Sequence, residues 1–258
     1  MTLEVAKKYK KKYPLIVDYV VENNIKGSYA ARNKGIEKSK GSLISFVDAD
    51  MTVKYDWLEK IVSVFDDKNL SYLGCKVNLY SKKKSFAALY NILNGFPIKM
   101  YMEKEHYAPT CCLTVRKNTF DKVGLFNCFF RGGGDSEFGK RVWQAGMKTK
   151  YDSKIIMYHP ARDSVYKLLK KSLRIGRSRA ETSSMYPDLY SHNISRYLSI
   201  KSYLPEKPWK IRERYKCGYS FNYITIIQLS IFPAISQLVS FFPFVSSKIK
   251  FFLKKIIK

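Results

Sequence analysis

Leu43-Ile44-Ser45-Phe46-Val47-Asp48-Ala49-Asp50 is the stretch of sequence that decides the fold. Its first five residues form an apolar run, typical of a buried strand at the centre of a parallel sheet. Its last three residues place two carboxylates just past the strand tip, where open α/β sheets bind ligands. Carboxylate oxygens suit divalent cations, so Asp48 and Asp50 predict a metal site. A solvated turn is the alternative, because Asp is a common loop residue.

Strand-like and helix-like runs alternate on both sides of this stretch. Asp56 precedes a run with helical apolar spacing and is expected to cap that helix. We predict helices over residues 2–12, 28–39, 57–65, 86–94, 118–123 and 163–180, and a further helix that residues 132–138 open and that ends near 142. We predict strands over 15–21, 43–47, 71–79, 110–115 and 150–158, and a long aromatic loop over 96–106. This alternation predicts an α/β fold with a mainly parallel sheet covered by helices.

Further motifs flank the D-A-D triplet. Residues 27–36 read G-S-Y-A-A-R-N-K-G-I and are followed by Lys40-Gly41, while residues 132–138 read G-G-G-D-S-E-F. In this order the motifs resemble those of the family 2 glycosyltransferases, which have the GT-A fold. The resemblance covers roughly residues 1 to 180. It implies a Rossmann-like, mostly parallel sheet flanked by helices, of the kind that binds nucleotide-diphospho-sugars.

The resemblance also implies roles for individual residues. Asp135 matches the acid that deprotonates the acceptor in inverting members, although Gly134 stands where the family has Glu. Sugar transfer needs such a base, and it needs a divalent cation (Mg²⁺ or Mn²⁺) where charge builds on the departing diphosphate. The implied sets are Asp135 and Glu137 for catalysis, Arg32, Asn33, Asp48, Asp50 and Arg162 for donor binding, and Asp50, Asp48 and His159 for the metal.

Each of these residues has a structural alternative. Asp135 or Ser136 would equally cap a helix, and a His at the end of a strand is more often packed than metal-bound. Arg174 and Arg177 could neutralise a diphosphate, but for them a solvated helix face is the preferred interpretation.

The start of the chain differs from the family pattern. Family members begin with a strand, a helix and a second strand ending in an acidic motif, and these elements hold the nucleobase and part of the ribose. Residues 1–9 resemble the helix that follows them. An N-terminally truncated GT-A domain is therefore expected, with an exposed sheet edge and weak or no transferase activity.

Charge and cysteine content narrow the choice of partners. The net charge of +26 indicates an anionic partner, namely nucleic acid, anionic lipid or a phosphorylated substrate, unless it reflects only a lysine-rich composition. The sequence has no helix-turn-helix, zinc or other recognisable nucleic-acid module, so we expect no nucleic-acid partner. Five cysteines without C-x-x-C spacing argue against a disulfide scaffold or a zinc site.

The C-terminal region predicts contact with a membrane. Residues 217–247 carry no charged side chain, and residues 248–258 mix lysine with Phe, Leu and Ile. Pro233 and Pro243 are expected to interrupt this stretch. Its polar residues, Thr225, Gln228, Ser236 and Ser240, fall near one helical stripe, which favours an interfacial helix over a clean span. A buried helical pair is the alternative.

We therefore divide the chain into a catalytic domain (1–180), a basic connecting region (181–216) and a membrane-associating segment (217–258). The expected function is transfer of a sugar, a hexosyl transfer with inversion, from a nucleotide-diphosphate donor to a saccharide or lipid-linked acceptor in surface polysaccharide or glycolipid synthesis. The expected location is the cytoplasmic face of an anionic membrane, peripheral or single-pass. A catalytically impaired fragment that binds the membrane and a basic nucleic-acid binder are the alternatives.

Overall fold

The computed structural model describes residues 2–214 and 221–256, apart from the side chains of residues 191–193 and 254–256. Its five strands are β1 (Leu43–Ser45), β2 (Thr52–Val53), β3 (Leu70–Tyr80), β4 (Leu113–Arg116) and β5 (Lys148–Pro160). The helices are α1 (Thr2–Lys12), α2 (Ser28–Lys38), α3 (Trp57–Val64), α4 (Phe86–Leu93), α5 (Ile98–Lys104), α6 (Asn118–Val123), α7 (Gly134–Gln144), α8 (Val165–Met185), α9 (Pro187–Leu198), α10 (Pro208–Arg214) and α11 (Tyr223–Ile256). Short 3-10 helices cover Thr110–Cys112 and Ile200–Tyr203.

The sheet is mixed, with the strand order β1-β4-β3-β5-β2. Strands β3 and β5 are parallel, whereas the other three neighbouring pairs are antiparallel. The prediction of a mostly parallel sheet is wrong in this respect, because β4 lies antiparallel between β1 and β3. The prediction that residues 43–47 form a buried central strand is also wrong, since β1 is a half-buried edge strand within the described part of the chain.

Most predicted elements are present, and three local predictions are wrong. Residues 15–21 form no strand, because no other described strand pairs with them, and Leu15 is 98% exposed. The predicted aromatic loop contains α5, which buries Ile98 and Met102 against the sheet. Asp56 precedes α3 but makes no side-chain cap, since its carboxylate pairs with Lys60 at 2.7 Å.

The main hydrophobic core lies between the sheet and α7. Tyr72 and Leu113 bring β3 and β4 into this core, and Phe138 of α7 is fully buried against them. The ring of Phe138 packs on Phe126 with centroids 4.6 Å apart and on Phe120 at 5.1 Å. Burial of rings of this size holds the beginning of α7 firmly over the sheet.

Helices α8 and α11 pack closely against each other through small residues. A Cβ added to Gly176 of α8 would lie 2.0 Å from the backbone oxygen of Ser240 in α11. The hydroxyls of Ser172 and Ser236 are 2.7 Å apart across the same interface. Glycine is therefore required at position 176 for the two backbones to approach this closely.

Two predictions about the C-terminal region are wrong in detail. Pro233 and Pro243 lie inside α11 and do not end it. The four polar residues do not share one environment: Ser236 bonds Ser172 of α8 and Ser240 accepts from Tyr197 of α9, while Gln228 is exposed. Residues 217–220 and 257–258 of the predicted membrane segment lie outside the described residues.

We expect Gly176→Ala to destabilise the protein by about 1–3 kcal/mol, because the added methyl group would force α8 and α11 apart. Chemical denaturation of the purified chain measures this change. Gly35→Ala on α2 is the matched control: a Cβ there meets nothing within 4 Å, so it should be neutral or stabilise by about 0.4–1 kcal/mol. Equal stability of the two variants would contradict the close packing of α8 on α11.

Candidate active site

Three potential metal ligands meet at the end of the sheet. Asp48 and Asp50 follow β1, and His159 lies near the end of β5; one ligand atom from each lies within 4.8 Å of the other two. The side chain of Asp50 is 62% exposed, whereas His159 is buried. The prediction thus selected three residues, distant in sequence, that the structure brings together.

The imidazole of His159 is oriented for a ligand. Its Nδ1 lies 2.7 Å from the carbonyl oxygen of Pro160, which only accepts hydrogen bonds, so Nδ1 carries the proton. In the neutral form of this tautomer the lone pair is on Nε2, which faces Asp50 Oδ1 at 3.8 Å. Two carboxylates and an imidazole with its lone pair turned towards them fit a divalent cation such as Mn²⁺ or Mg²⁺.

Asp135 is held by two donors at the beginning of α7. The hydroxyl of Tyr29 donates to Asp135 Oδ1, and the backbone N–H of Thr110 donates to Oδ2 at 3.1 Å. Burial raises the pKa of Tyr29 well above its usual value, and the neighbouring Asp135 charge adds to this, so Tyr29 remains a donor. Each carboxylate oxygen has a second lone pair, which leaves Asp135 able to accept one more proton donor.

Gly134 and Tyr29 fit each other. A Cβ at position 134 would lie 2.8 Å from the Tyr29 ring, so a side chain there would displace the tyrosine. The departure from the family pattern at Gly134 therefore makes room for the hydroxyl that holds Asp135. The sequence analysis assigned no role to Tyr29, although this residue lies within the G-S-Y-A-A-R-N motif. The signal that could have identified it is Gly134, because a glycine before Asp135 leaves room for a neighbouring ring.

A continuous series of contacts joins Asp135 to the metal cluster, the group of potential ligands formed by Asp48, Asp50 and His159. The Arg32 guanidinium lies 5.4 Å from the centre of the Tyr29 ring, and its Nη2 is 3.4 Å from Asp48 Oδ1. Tyr29 and Arg32 are both on α2, one turn apart. Asp135 and the three potential metal ligands therefore flank one region bordered by α2, which is the candidate cleft.

Comparison with known proteins identifies the family. Residues 1–124 match the model for Glycosyl transferase family 2. Glycosyltransferase AglE of Haloferax volcanii is 32% identical over 181 residues, which cover 70% of this chain and 59% of that protein. The chain belongs to glycosyltransferase family 2. Pre-mycofactocin glycosyltransferase of Mycobacterium tuberculosis is 23% identical over 171 residues. The aligned region covers 63% of this family 2 chain and 36% of that relative.

A solved structure supports the fold of this family 2 chain. The mannosyltransferase PcManGT from Pyrobaculum calidifontis, in complex with GDP-Man and Mn²⁺, has a TM-score of 0.60 and 14% identity, covering 95% of this chain and 74% of that one. The GT-A fold expected from the sequence is confirmed, with a mixed sheet flanked by helices.

Two of the predicted site residues have their polar atoms engaged in contacts within the protein itself. The Asn33 side chain bonds both the carbonyl oxygen and the N–H of Phe126, at 2.8 and 3.1 Å. The buried Glu137 carboxylate forms a two-point ion pair with Arg141, at 2.6 and 3.0 Å. These contacts favour positioning roles: Asn33 holds the loop before α7, and Glu137 anchors α7 itself.

We expect the Tyr29–Asp135 pair to show a coupling energy of about 1.5–3 kcal/mol, because a hydrogen bond to a charged acceptor is stronger than one between neutral groups. The measurement is a double-mutant cycle on the free energy of unfolding, with Tyr29→Phe, Asp135→Asn and both together. The control is the same cycle with Tyr9→Phe in place of Tyr29→Phe. Tyr9 contacts Tyr13 on the exposed helix α1, so its substitution should be additive with Asp135→Asn. Additive effects for Tyr29 would contradict the contact.

Proposed function

We propose that this chain carries the catalytic domain of a metal-dependent glycosyltransferase, which transfers a sugar from a nucleotide-diphosphate donor to a hydroxyl of a saccharide or lipid-linked acceptor with inversion. The observation that carries this proposal is the cleft in which Tyr29 and Arg32 connect Asp135 to Asp48, Asp50 and His159. Family membership supports it, and PcManGT, with its bound GDP-Man and Mn²⁺, supports a nucleotide-sugar donor.

On the donor side, Asp48, Asp50 and His159 would hold Mg²⁺ or Mn²⁺. The bound ion supplies positive charge for the diphosphate as it departs. Arg32 bonds Asp48 and orients that carboxylate. Arg162 is partly buried, and its charge interacts with that of Asp50, so its guanidinium lies close enough to contribute to binding the same diphosphate.

On the acceptor side, Asp135 acts as the general base. It takes the proton of the acceptor hydroxyl while that oxygen bonds the anomeric carbon, and the bond from this carbon to the phosphate oxygen breaks. The electron pair of that bond leaves with the nucleoside diphosphate. One displacement on the face opposite the leaving group inverts the anomeric centre. Tyr29 and the Thr110 N–H keep the carboxylate directed for this step.

The test separates donor binding from transfer. We expect Asp135→Asn to bind the donor normally and to lower the transfer rate about 10²–10⁴-fold, the usual contribution of a general base. Asp50→Asn should lose Mn²⁺-dependent donor binding. Calorimetry with GDP-mannose, UDP-glucose and UDP-N-acetylglucosamine measures binding, and release of nucleoside diphosphate in the presence of a lipid extract measures transfer.

Asp152→Asn is the control, because Asp152 pairs with Lys150 on β5, at a distance along the strand from His159. Donor binding that persists in excess chelator, or transfer by Asp135→Asn at the normal rate, would refute the proposed mechanism. Donor binding without transfer by the unaltered chain would favour the impaired fragment.

We further propose that α11 lies in the surface of an anionic membrane. Among the described residues, α11 is the one helix that is both long enough and apolar enough to cross a bilayer. The stretch that meets both conditions is Tyr223–Leu253. Three of its polar residues, Ser230, Gln237 and Ser240, are buried against the protein, whereas Gln228 is exposed. The outward face of α11 is mainly apolar, with exposed Ile224, Ile227, Ile231, Ile235, Leu238, Phe242, Ile249 and Phe252.

A water-facing amphipathic helix would carry polar residues on its outward face, so the apolar outward face of α11 matches packing next to lipid instead. Because one face of α11 is fixed on α8, an interfacial position is favoured over a free span. Exposed Lys250 and the lysine-rich end of the sequence suit anionic headgroups.

The double variant Ile231→Lys with Ile235→Lys should weaken binding to phosphatidylglycerol vesicles at least about tenfold, because burying an Ile side chain is worth roughly 1.5–3 kcal/mol. Flotation of the purified chain measures the bound fraction. Leu58→Lys is the matched control, since Leu58 is a 62% exposed apolar residue on α3. Equal flotation of all three proteins would rule out this face as the contact.

A further inference from the structure

A cluster of cations stands beside the metal ligands. Lys171 and Arg174 lie one turn apart on α8, and Arg162 lies just before that helix. The Lys171 Nζ is 5.7 Å from the Phe96 ring centre, and that ring packs against His159 with centroids 5.6 Å apart. The cluster is therefore separated from the metal-ligating imidazole by one aromatic ring.

These three cations lack acidic partners. Within the described residues none of them forms an ion pair with a carboxylate, although other basic residues nearby do, such as Lys167 with Asp163 at 2.7 Å. Burial, together with the neighbouring charges of Arg162 and Arg174, lowers the pKa of Lys171 to about 8. Like charges held near one another are unfavourable where, as for Lys171 and Arg162, the position is partly buried, and a bound anion would relieve this cost.

The direction of α8 places the cluster between the two ends of the cleft. One turn beyond Arg174, Ser178 packs against the glycines before Asp135: a Cβ on Gly133 would lie 2.7 Å from its hydroxyl oxygen. Helix α8 thus runs from the metal ligands to the loop that carries the base. An anion beside Lys171 and Arg174 would lie along this path.

Charge balance points the same way. Two Asp carboxylates formally neutralise one divalent ion, so the negative charge of a phosphate ester in the cleft needs additional cations. Arginine and lysine are the side chains that proteins use for this purpose.

We propose that Lys171, Arg174 and Arg162 form an anion subsite for a phosphate group, next to the metal ligands and on the side facing Asp135. The proposal depends on the proposed function only for the source of the phosphate, which is either the diphosphate of the donor or the phosphate of a lipid-linked acceptor. Lys171 and Arg174 are new binding residues in this assignment.

The first experiment measures binding of inorganic pyrophosphate to the full chain in EDTA, so that no metal ion contributes. We expect Lys171→Gln and Arg174→Gln each to weaken binding about tenfold, whereas Lys171→Arg should retain it within about threefold. Lys170→Gln is the matched control: it removes the same charge from the same helix at an exposed position, and its binding should stay within about twofold.

Unchanged binding in Lys171→Gln and Arg174→Gln, equal weakening in Lys170→Gln, or no binding by the unaltered chain would each overturn the proposal. Thermal unfolding shows whether each variant is folded, and the exposed Arg174 keeps the test available if Lys171→Gln unfolds.

A second experiment identifies the source of the phosphate. Uridine and guanosine diphosphates represent the donor, and farnesyl monophosphate represents the lipid-linked acceptor. If Lys171→Gln weakens binding of the nucleoside diphosphates alone, the subsite belongs to the donor. If it weakens binding of farnesyl monophosphate alone, the subsite belongs to the acceptor. Unchanged binding of both kinds of ligand refutes the subsite. Loss of Mn²⁺-dependent donor binding in Asp50→Asn tests the proposed function separately, since pyrophosphate binding in EDTA does not involve that residue.

Discussion

The hydrogen bond from the buried Tyr29 hydroxyl to Asp135 is the contact on which the cleft depends. It connects α2, which comes early in the sequence, to the beginning of α7, more than a hundred residues later. The same ring supports Arg32, which in turn bonds Asp48 beside the metal cluster. A single aromatic side chain therefore links Asp135 to the group of Asp48, Asp50 and His159. Its hydroxyl is buried, so leaving it or its partner unsatisfied would cost more than the bond itself contributes.

The hydrophobic core fixes the beginning of α7 and so keeps Asp135 within reach of Tyr29. Phe120, Phe126 and Phe138 pack ring against ring under the beginning of α7, and Asn33 fixes the loop at Phe126 from the side of α2. The ion pair of Glu137 with Arg141 adds a polar anchor, because Arg141 also donates to the carbonyl oxygen of Leu125. Residues that do not face the cleft thus hold those that do, as a preorganised site requires.

Charge is distributed unevenly around the cleft. Carboxylates gather where the strands end, whereas the adjoining face of α8 carries cations without acidic partners among the described residues. Helix α8 also packs closely on α11 through Gly176, with serine hydroxyls between the two helices. One helix therefore borders both the cleft and the apolar face that we assign to the membrane.

The sequence by itself determined the local features: α2, α6 and α8, the strands β3 and β5, the acidic triplet after β1, and the family. These follow from periodicity and short motifs, which depend on neighbouring residues. Only the tertiary structure decided that β4 runs antiparallel between β1 and β3, that residues 15–21 pair with no described strand, and that α5 replaces a loop. It also decided that Asn33 and Glu137 bond within the protein and that Tyr29 holds Asp135. Strand direction and side-chain partners are set by contacts between residues far apart in the chain, and a local pattern records how deeply a residue is buried but not what it touches.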